Sequence, residues 1–375
     1  MQVERMMWTK KSGWNAQPRM NDAQLVLYFG GPVPLKENDY FLELQKFYSN
    51  AHILGCSTGG EIYGADVIDD SVVVAAMRFE KTTLHVTSTD IDQPEDSFEA
   101  GRFLANQLNK EGLSNIFLLS DSTHIRGSEL VRGLYDVLDD HIIVTGGLAG
   151  DGADFKQTAV GLNERAKYKR IAAVGFYGSS IHVNYGCVGG WSPFGPKRTI
   201  TKSEGNVLYE LDNKPALDLY KQYLGEEADK LPASGLLFPL SIKPTQESQR
   251  EIVRTMMAIN EQDKSITFAD EVPTGYIAQL MRGDFSLLVD GASKAAGLAQ
   301  AGHANSSIAI LVSCIGRKLL LGQSISDETE AVAEVFDHKI PTIGFYSYGE
   351  ICHEQYTDEC SLHNQTMTIT VLYED

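Results

Sequence analysis

The residues able to do chemistry fall in a few short, glycine-containing runs. Gly55 to Gly64 reads GCSTGGEIYG and follows the apolar stretch His52 to Leu54. Glycines and small residues let a ligand approach the backbone closely, and free amides in such a turn can form an anion-binding nest. The same run also reads as a tight turn. Its candidate ligand-binding residues are Cys56, Ser57, Thr58 and Glu61. Cys56 can serve as a nucleophile with His52 or His124 as base, although a buried cysteine more commonly acts as a small hydrophobe. Gly146 to Gly152, GGLAGDG, follows another apolar run. Its spacing is not a dinucleotide fingerprint, and turn and strand rather than helix are expected after it. Asp151 can hold a ligand amine or cap a turn. Gly344 to Ile351 reads GFYSYGEI. On a strand, Phe345 and Ser347 share one face and Tyr346 and Tyr348 the other. Tyr346, Tyr348 and Glu350 form the second candidate set, against the plainer reading of an aromatic core strand ended by a turn.

The tail holds Cys352, His353, Cys360 and His363. These types bind zinc, but the spacing C-H-x6-C-x2-H is irregular for a structural site and no paired C-x2-C motif occurs. An axial haem ligand needs only one histidine, and the candidates are His303, His353 and His363.

The elements that must position these residues are strands mixed with helices. Leu25 to Phe29 reads as a buried strand ended by Gly30-Gly31-Pro32. Phe41 to Tyr48 and Phe98 to Leu108 have helical spacing. Leu130, Val131, Leu134, Val137 and Leu138 make a clear helix stripe. Strands are expected at Ser71 to Phe79, Thr82 to Ile91, Ile116 to Leu119, His141 to Thr145, Ser306 to Cys314, Thr342 to Tyr348 and Thr366 to Tyr373. Helices are expected at Ala216 to Leu224, from Phe285 toward Gln300, and after Ser326, whose hydroxyl can cap it. Runs of consecutive strands argue against a simple doubly wound sheet. The expected class is α/β (α+β): two domains with mixed, largely antiparallel sheets flanked by helices. The Gly- and Pro-rich run Gly186 to Pro196 marks the boundary. That gives an N-terminal extension at 1–24 and domains at 25–195 and 196–375. No internal repeat is evident.

The 375 residues suffice for two domains, and 43% hydrophobic with 22% charged content is ordinary for a globular chain. A net charge of -18 without a Lys or Arg run argues against nucleic-acid binding. No apolar run approaches the roughly 20 residues of a membrane span, and Met1 to Met20 lacks the apolar centre of a signal peptide. Five scattered cysteines argue against a disulfide framework. A cytoplasmic protein without membrane insertion is expected.

Taken together, GCSTGGEI, GGLAGDG, PFGP (Pro193 to Pro196), the Asn206 to Leu224 segment, SCIGRKLLLGQ, GFYSYGEI and LHNQTMTIT resemble the FIST family of sensory proteins. The resemblance runs from about Leu25 to Leu372 in the family's order. It implies a non-enzymatic small-ligand sensor in signal transduction, working through a partner such as a histidine kinase or a cyclic-di-GMP enzyme, with a homodimer allowed. Stand-alone members include NosP-type haem sensors of nitric oxide, so haem is one implied cofactor. An amino acid bound without haem is the alternative. A Cys56-dependent enzyme and a ligand-free scaffold are further readings.

Overall fold

Leu25–Gly30 is apolar throughout because both of its faces are covered. In the computed structural model, which describes residues 1–300, 307–354 and 359–375, Leu25, Leu27 and Phe29 point into one core, while Val26 and Tyr28 point into another under the helix Tyr40–Phe47. The same period-two partition recurs elsewhere. Phe117 and Leu119 face inward and Ile116 and Leu118 outward. Ile310 and Val312 face inward and Ala309 and Leu311 outward.

These strands belong to three units of one topology. The first has an outer strand Gln2–Thr9, a parallel pair Leu25–Gly30 and His52–Ser57, and a return strand Ser71–Arg78. The second repeats this with Thr83–Asp90, the pair Leu113–Ser120 and Ile143–Leu148, and Arg170–Tyr177. The third uses Ile181–Val188, the pair Ser307–Cys314 and Thr342–Ser347, and Met367–Glu374. After its second parallel strand, each unit sends chain to a neighbour's sheet. Glu61–Tyr63 pairs with Thr342–Ser347, Val160–Leu162 with His52–Ser57, and Gly349–His353 with Ile143–Leu148. Three six-stranded sheets thus close around one inner core, where the Phe29 and Phe345 rings lie 4.6 Å apart. Helices cover the outer faces: Ser97–Gln107 and Gly127–Tyr135 on the second sheet, Phe285–Ala299 and Ser326–Val335 on the third.

A lobe at 191–283 is inserted into the third unit. It has its own nine-stranded sheet and a core that includes Ile200, Leu217, Tyr220, Ile266 and Phe268. It is fastened to the units by Ser128 Oγ donating to Asp270 (2.7 Å) and Arg254 donating to the Leu362 carbonyl (3.1 Å). Among the described residues, no helix is long and apolar enough to cross a membrane.

The mixed, mostly antiparallel α+β class is as expected. The domain limits are not. Residues 2–9 are no extension: Gln2–Thr9 pairs along the whole of Ser71–Arg78, with Met6 fully buried. A cut at 195 falls inside the third unit, whose outer strand Ile181–Val188 pairs with Met367–Glu374 at the far end of the chain. The two halves therefore share sheets. Ser326 is the first residue of its helix rather than its cap, because a 3-10 turn at Gly322–Ser324 runs directly into it.

Candidate functional site

The three glycine-containing runs each follow the second parallel strand of a unit, so the topology brings them to one place. There they interlock in a ring. The Gly150 N–H donates to Ser57 O (2.9 Å), Gly59 N–H to Tyr346 O (2.7 Å), and Tyr348 N–H to Leu148 O (3.2 Å). The fit depends on Gly150, where a Cβ would stand 2.8 Å from the Gly59 nitrogen. The amides of Gly55 to Gly64 that read as an anion nest are largely spent on backbone, because Ser57 N–H donates to Ala159 O, Gly59 N–H to Tyr346 O and Gly64 N–H to Thr342 O.

The ring explains where the expected ligand-binding residues lie. Cys56, Thr58, Glu61, Tyr346 and Glu350 are fully buried and Ser57 nearly so. Cys56 packs in the inner core, and burial holds its thiol well above the usual range. Neither His52 nor His124 bonds to it, since His52 Nδ1 meets Asn163 (3.2 Å) and His124 Nδ1 meets Asp121. Thr58 and Ser71 both donate to Glu61. Burial pushes the Glu61 carboxyl up to about 7 despite them. Tyr346 donates to Glu328 (2.7 Å). The Ser57 hydroxyl accepts from the Ala159 N–H (2.9 Å) and borders a separate hollow with Tyr28 and Ala159. Of the seven, Tyr348 alone reaches a cleft that opens between the three-unit core and the lobe. Its ring stacks on Phe155 at 4.5 Å, and its hydroxyl donates to Asp151.

That cleft holds about 520 Å³, within the range of small-ligand sites. Ser122, Thr123, His124, Ile125, Phe155 and Lys156 line it from the second unit. Cys314, Ile315, Gly316, Tyr348 and Asn364 line it from the third, and Asn206, Leu236, Thr255, Met257 and Thr267 from the lobe. Asp121, fully buried at the end of Leu113–Ser120, accepts from the N–H groups of Thr123 and His124 (both 2.8 Å) and meets His124 Nδ1 at 3.1 Å. The imidazole is thereby oriented, and its Nε2 has no partner among the described residues. The Asn364 side-chain oxygen is buried and lacks a partner among them too. A buried polar atom left in this state at the wall of a cleft marks a place for a ligand or water. Sequence reasoning named His124 only as a base for Cys56 and passed over Asp121 and Asn364. Asp121-Ser122-Thr123 after an apolar strand is an Asx-turn signature and offered a signal; the lobe residues offered none.

The tail residues lie elsewhere. His353 is buried, and its Nε2 meets the Tyr135 hydroxyl (2.7 Å) and the Val144 N–H (3.2 Å). The His363 Nε2 meets Cys352 O (3.2 Å), and its imidazole stands next to Cys187. Both are buried and held by these contacts within the fold, and His303 lies outside the described residues. No three His, Cys, Asp or Glu side chains among the described residues are placed to hold a metal ion, which leaves the zinc reading without a site. The Cys352 hydrogen bond lowers the Cys187 thiol well below the usual range, with burial opposing, while burial raises Cys352.

Comparison with known proteins agrees with the ordering of the motifs. An uncharacterized protein of Methanocaldococcus jannaschii is 26% identical over 192 residues, which is 48% of this chain and 36% of that protein, so the match spans about a third of the relative's length. A crystal structure of cyanuric acid hydrolase from A. caulinodans aligns over 100% of this chain and 98% of its own, with 8% identity and a TM-score of 0.34, too low to carry an argument. Residues 24–214 match the FIST N domain and residues 216–353 the FIST C domain. The chain belongs to the FIST family of sensory-domain proteins.

Proposed function

We propose that this chain is a small-ligand sensor whose ligand occupies the cleft between the three-unit core and the inserted lobe. The observation that carries the reading is that the orphaned Asn364 oxygen and the Asp121-held His124 imidazole belong to residues lining one cleft, walled by both matched family regions. Apolar Ile125, Phe155, Leu236 and Met257 surround these polar groups. That mixture suits a small zwitterion with a short apolar side chain, an amino acid being the simplest. A ligand bridging core and lobe favours one arrangement of the two, and a cytoplasmic partner such as a histidine kinase or cyclic-di-GMP enzyme reads the shift. The buried, unactivated Cys56 does not support the enzyme reading.

The test is a thermal-shift screen of the wild type with the twenty amino acids, repeated with His124→Ala and Asn364→Ala. Saturable stabilisation by one amino acid, lost in both variants, supports the proposal. Stabilisation by none, or stabilisation unchanged in the variants, overturns it.

A second reading, haem in the same cleft, rests on His124, whose carboxylate-held Nδ1 leaves Nε2 for an iron. It requires a sharp, saturable Soret band on haemin addition that shifts with nitric oxide and disappears in His124→Ala.

A further inference from the structure

A further hollow, of about 710 Å³, has Cys187 and His363 in its wall with Gln249, Lys294 and Glu354. Cys187 lies near the end of Ile181–Val188 and is partly exposed. Directly behind it, Cys352 on Gly349–His353 is fully buried. The Cys352 thiol and the His363 imidazole both stand next to Cys187, on strands that approach closely enough for the Tyr185 and His353 rings to lie 5.5 Å apart. His363 is itself fixed by the Cys352 carbonyl at 3.2 Å. The remaining thiols are placed differently. Cys56 and Cys314 are buried, and the Cys360 thiol donates to the Val144 carbonyl at 3.5 Å.

This arrangement contains the parts of a two-thiol redox site. One sulfur faces a cavity large enough for a small oxidant. A second sulfur stands next to it on the protein side. An imidazole stands beside the first. Cysteines with this pairing of an accessible attacking sulfur and an adjacent resolving one are the ones that oxidise reversibly.

We propose that Cys187 and Cys352 form a site of reversible thiol oxidation by hydroperoxides, with Cys187 attacking and Cys352 resolving. The Cys187 sulfur attacks the terminal peroxide oxygen. A sulfur–oxygen bond forms and the oxygen–oxygen bond breaks. Sulfur is oxidised by two electrons to the sulfenic acid, and the departing alkoxide or hydroxide leaves as alcohol or water with a proton from His363 or solvent. The Cys352 thiol then attacks the sulfenic sulfur. The disulfide forms, the sulfur–oxygen bond breaks, and hydroxide leaves as water with the Cys352 proton. With hydrogen peroxide, two thiols and one peroxide give one disulfide and two waters. Because Cys352 is four residues beyond Tyr348 at the cleft, the bridge would tie the outer strand of the third unit to the chain that follows the ring.

The test uses the full chain and one equivalent of hydrogen peroxide, then alkylation under denaturing conditions and mass mapping without reductant. The expected product is a peptide linked Cys187 to Cys352, with Cys56 and Cys314 alkylated as thiols. In Cys352→Ser the expected product is a Cys187 sulfenic acid captured by dimedone; in Cys187→Ser neither product forms and Cys352 stays reduced. The wild-type map alone decides the matter if a variant fails to fold. A Cys352–Cys360 link, a pattern unchanged by Cys187→Ser, or Cys187 oxidation no faster than in the urea-unfolded chain would overturn the proposal.

Discussion

Glu61 and Glu350 occupy equivalent places in two of the three units and are held in the same way. Glu61 accepts from the Thr58 hydroxyl three residues before it, and from the N–H (2.8 Å) and hydroxyl (2.7 Å) of Ser71, which opens the return strand. Glu350 accepts from the Ser347 hydroxyl (2.5 Å), again three residues before, and from the N–H (3.1 Å) and hydroxyl (2.8 Å) of Thr366, just ahead of its return strand. Both carboxyls pin the turn that leaves the ring to the start of the strand that comes back. In the second unit the acid at the corresponding place, Asp151, accepts instead from the N–H groups of Lys156 (2.9 Å) and Gln157 (2.7 Å), and so shapes the loop that borders the cleft.

The two glutamates make stability depend on pH. Burial raises Glu61 to about 7 and Glu350 to about 8 from an ordinary value of 4.5. A carboxyl raised by folding binds its proton more tightly in the native state. Its contribution is therefore complete below pH 4.5, declines by about 1.4 kcal/mol per pH unit as pH rises toward 7 to 8, and is level above. Urea denaturation from pH 5 to 9 is expected to show this decline. Glu350→Gln, which keeps the shape and stays neutral, is expected to flatten the upper part of it and to equal or exceed the wild type at pH 9. An unchanged slope would show that Glu350 does not titrate there.

The buried pair Arg317 and Glu328 supports the ring from behind. Both side chains are fully buried, and Glu328 takes Arg317 Nη2 (2.9 Å) and Nε (3.0 Å) together with the Tyr346 and Ser313 hydroxyls. Removing one charge strands the other, a loss of roughly 3–5 kcal/mol, whereas removing both costs less than the sum. In urea denaturation, Glu328→Gln is expected to lose that amount, and Glu328→Gln combined with Arg317→Met less than the two singles added. Additive losses would mean that the pair is solvated.

Much of the fold was legible because period-two and period-3.6 patterns survive in the sequence. The runs at Leu25 to Phe29 and Thr366 to Tyr373 became the strands expected, and the stripe from Leu130 became a helix that ends at Tyr135, before Val137 and Leu138. The threefold repeat was not legible, since equivalent positions such as Ser57, Leu148 and Tyr346 share a register and not a chemistry. The motifs were found, but their role was inverted. Glycine and small residues at Gly59 and Gly150 serve the approach of one backbone to another. Cleft-lining residues such as Thr255 and Asn364 sit 133 and 242 residues beyond Ser122, and nothing local announces a pocket assembled across such separations.

The close approach at Gly150 can be measured. A Cβ there would lie 2.8 Å from Gly59 N and 3.1 Å from the Thr58 carbonyl carbon, with backbone on both sides unable to yield. Gly150→Ala is expected to destabilise by about 1–3 kcal/mol. At Gly297, within the helix Phe285–Ala299, a Cβ meets nothing within 4 Å. Gly297→Ala is expected to stabilise by roughly 0.5–1 kcal/mol through helix propensity. Thermal unfolding of both variants beside the wild type distinguishes a packing requirement from a general intolerance of alanine.

Tyr348 joins the ring to the cleft, and its hydroxyl is the joint. It donates to Asp151, and accepts from the N–H groups of Asp151 and Phe155, each at 3.2 Å. Tyr348→Phe keeps the stack on Phe155 but leaves these partly buried groups unpaired, a loss of about 1–3 kcal/mol. Hydrogen exchange is expected to rise at the amides of Asp151 and Phe155 first, because the loop at 151–157 loses its anchor while the sheets keep theirs. Tyr348→Leu removes the stack as well and is expected to weaken ligand stabilisation beyond what Tyr348→Phe does. If both variants bind the ligand as the wild type does, the cleft's recognition lies with His124 and Asn364 alone, and Tyr348 serves only to hold the loop that walls it.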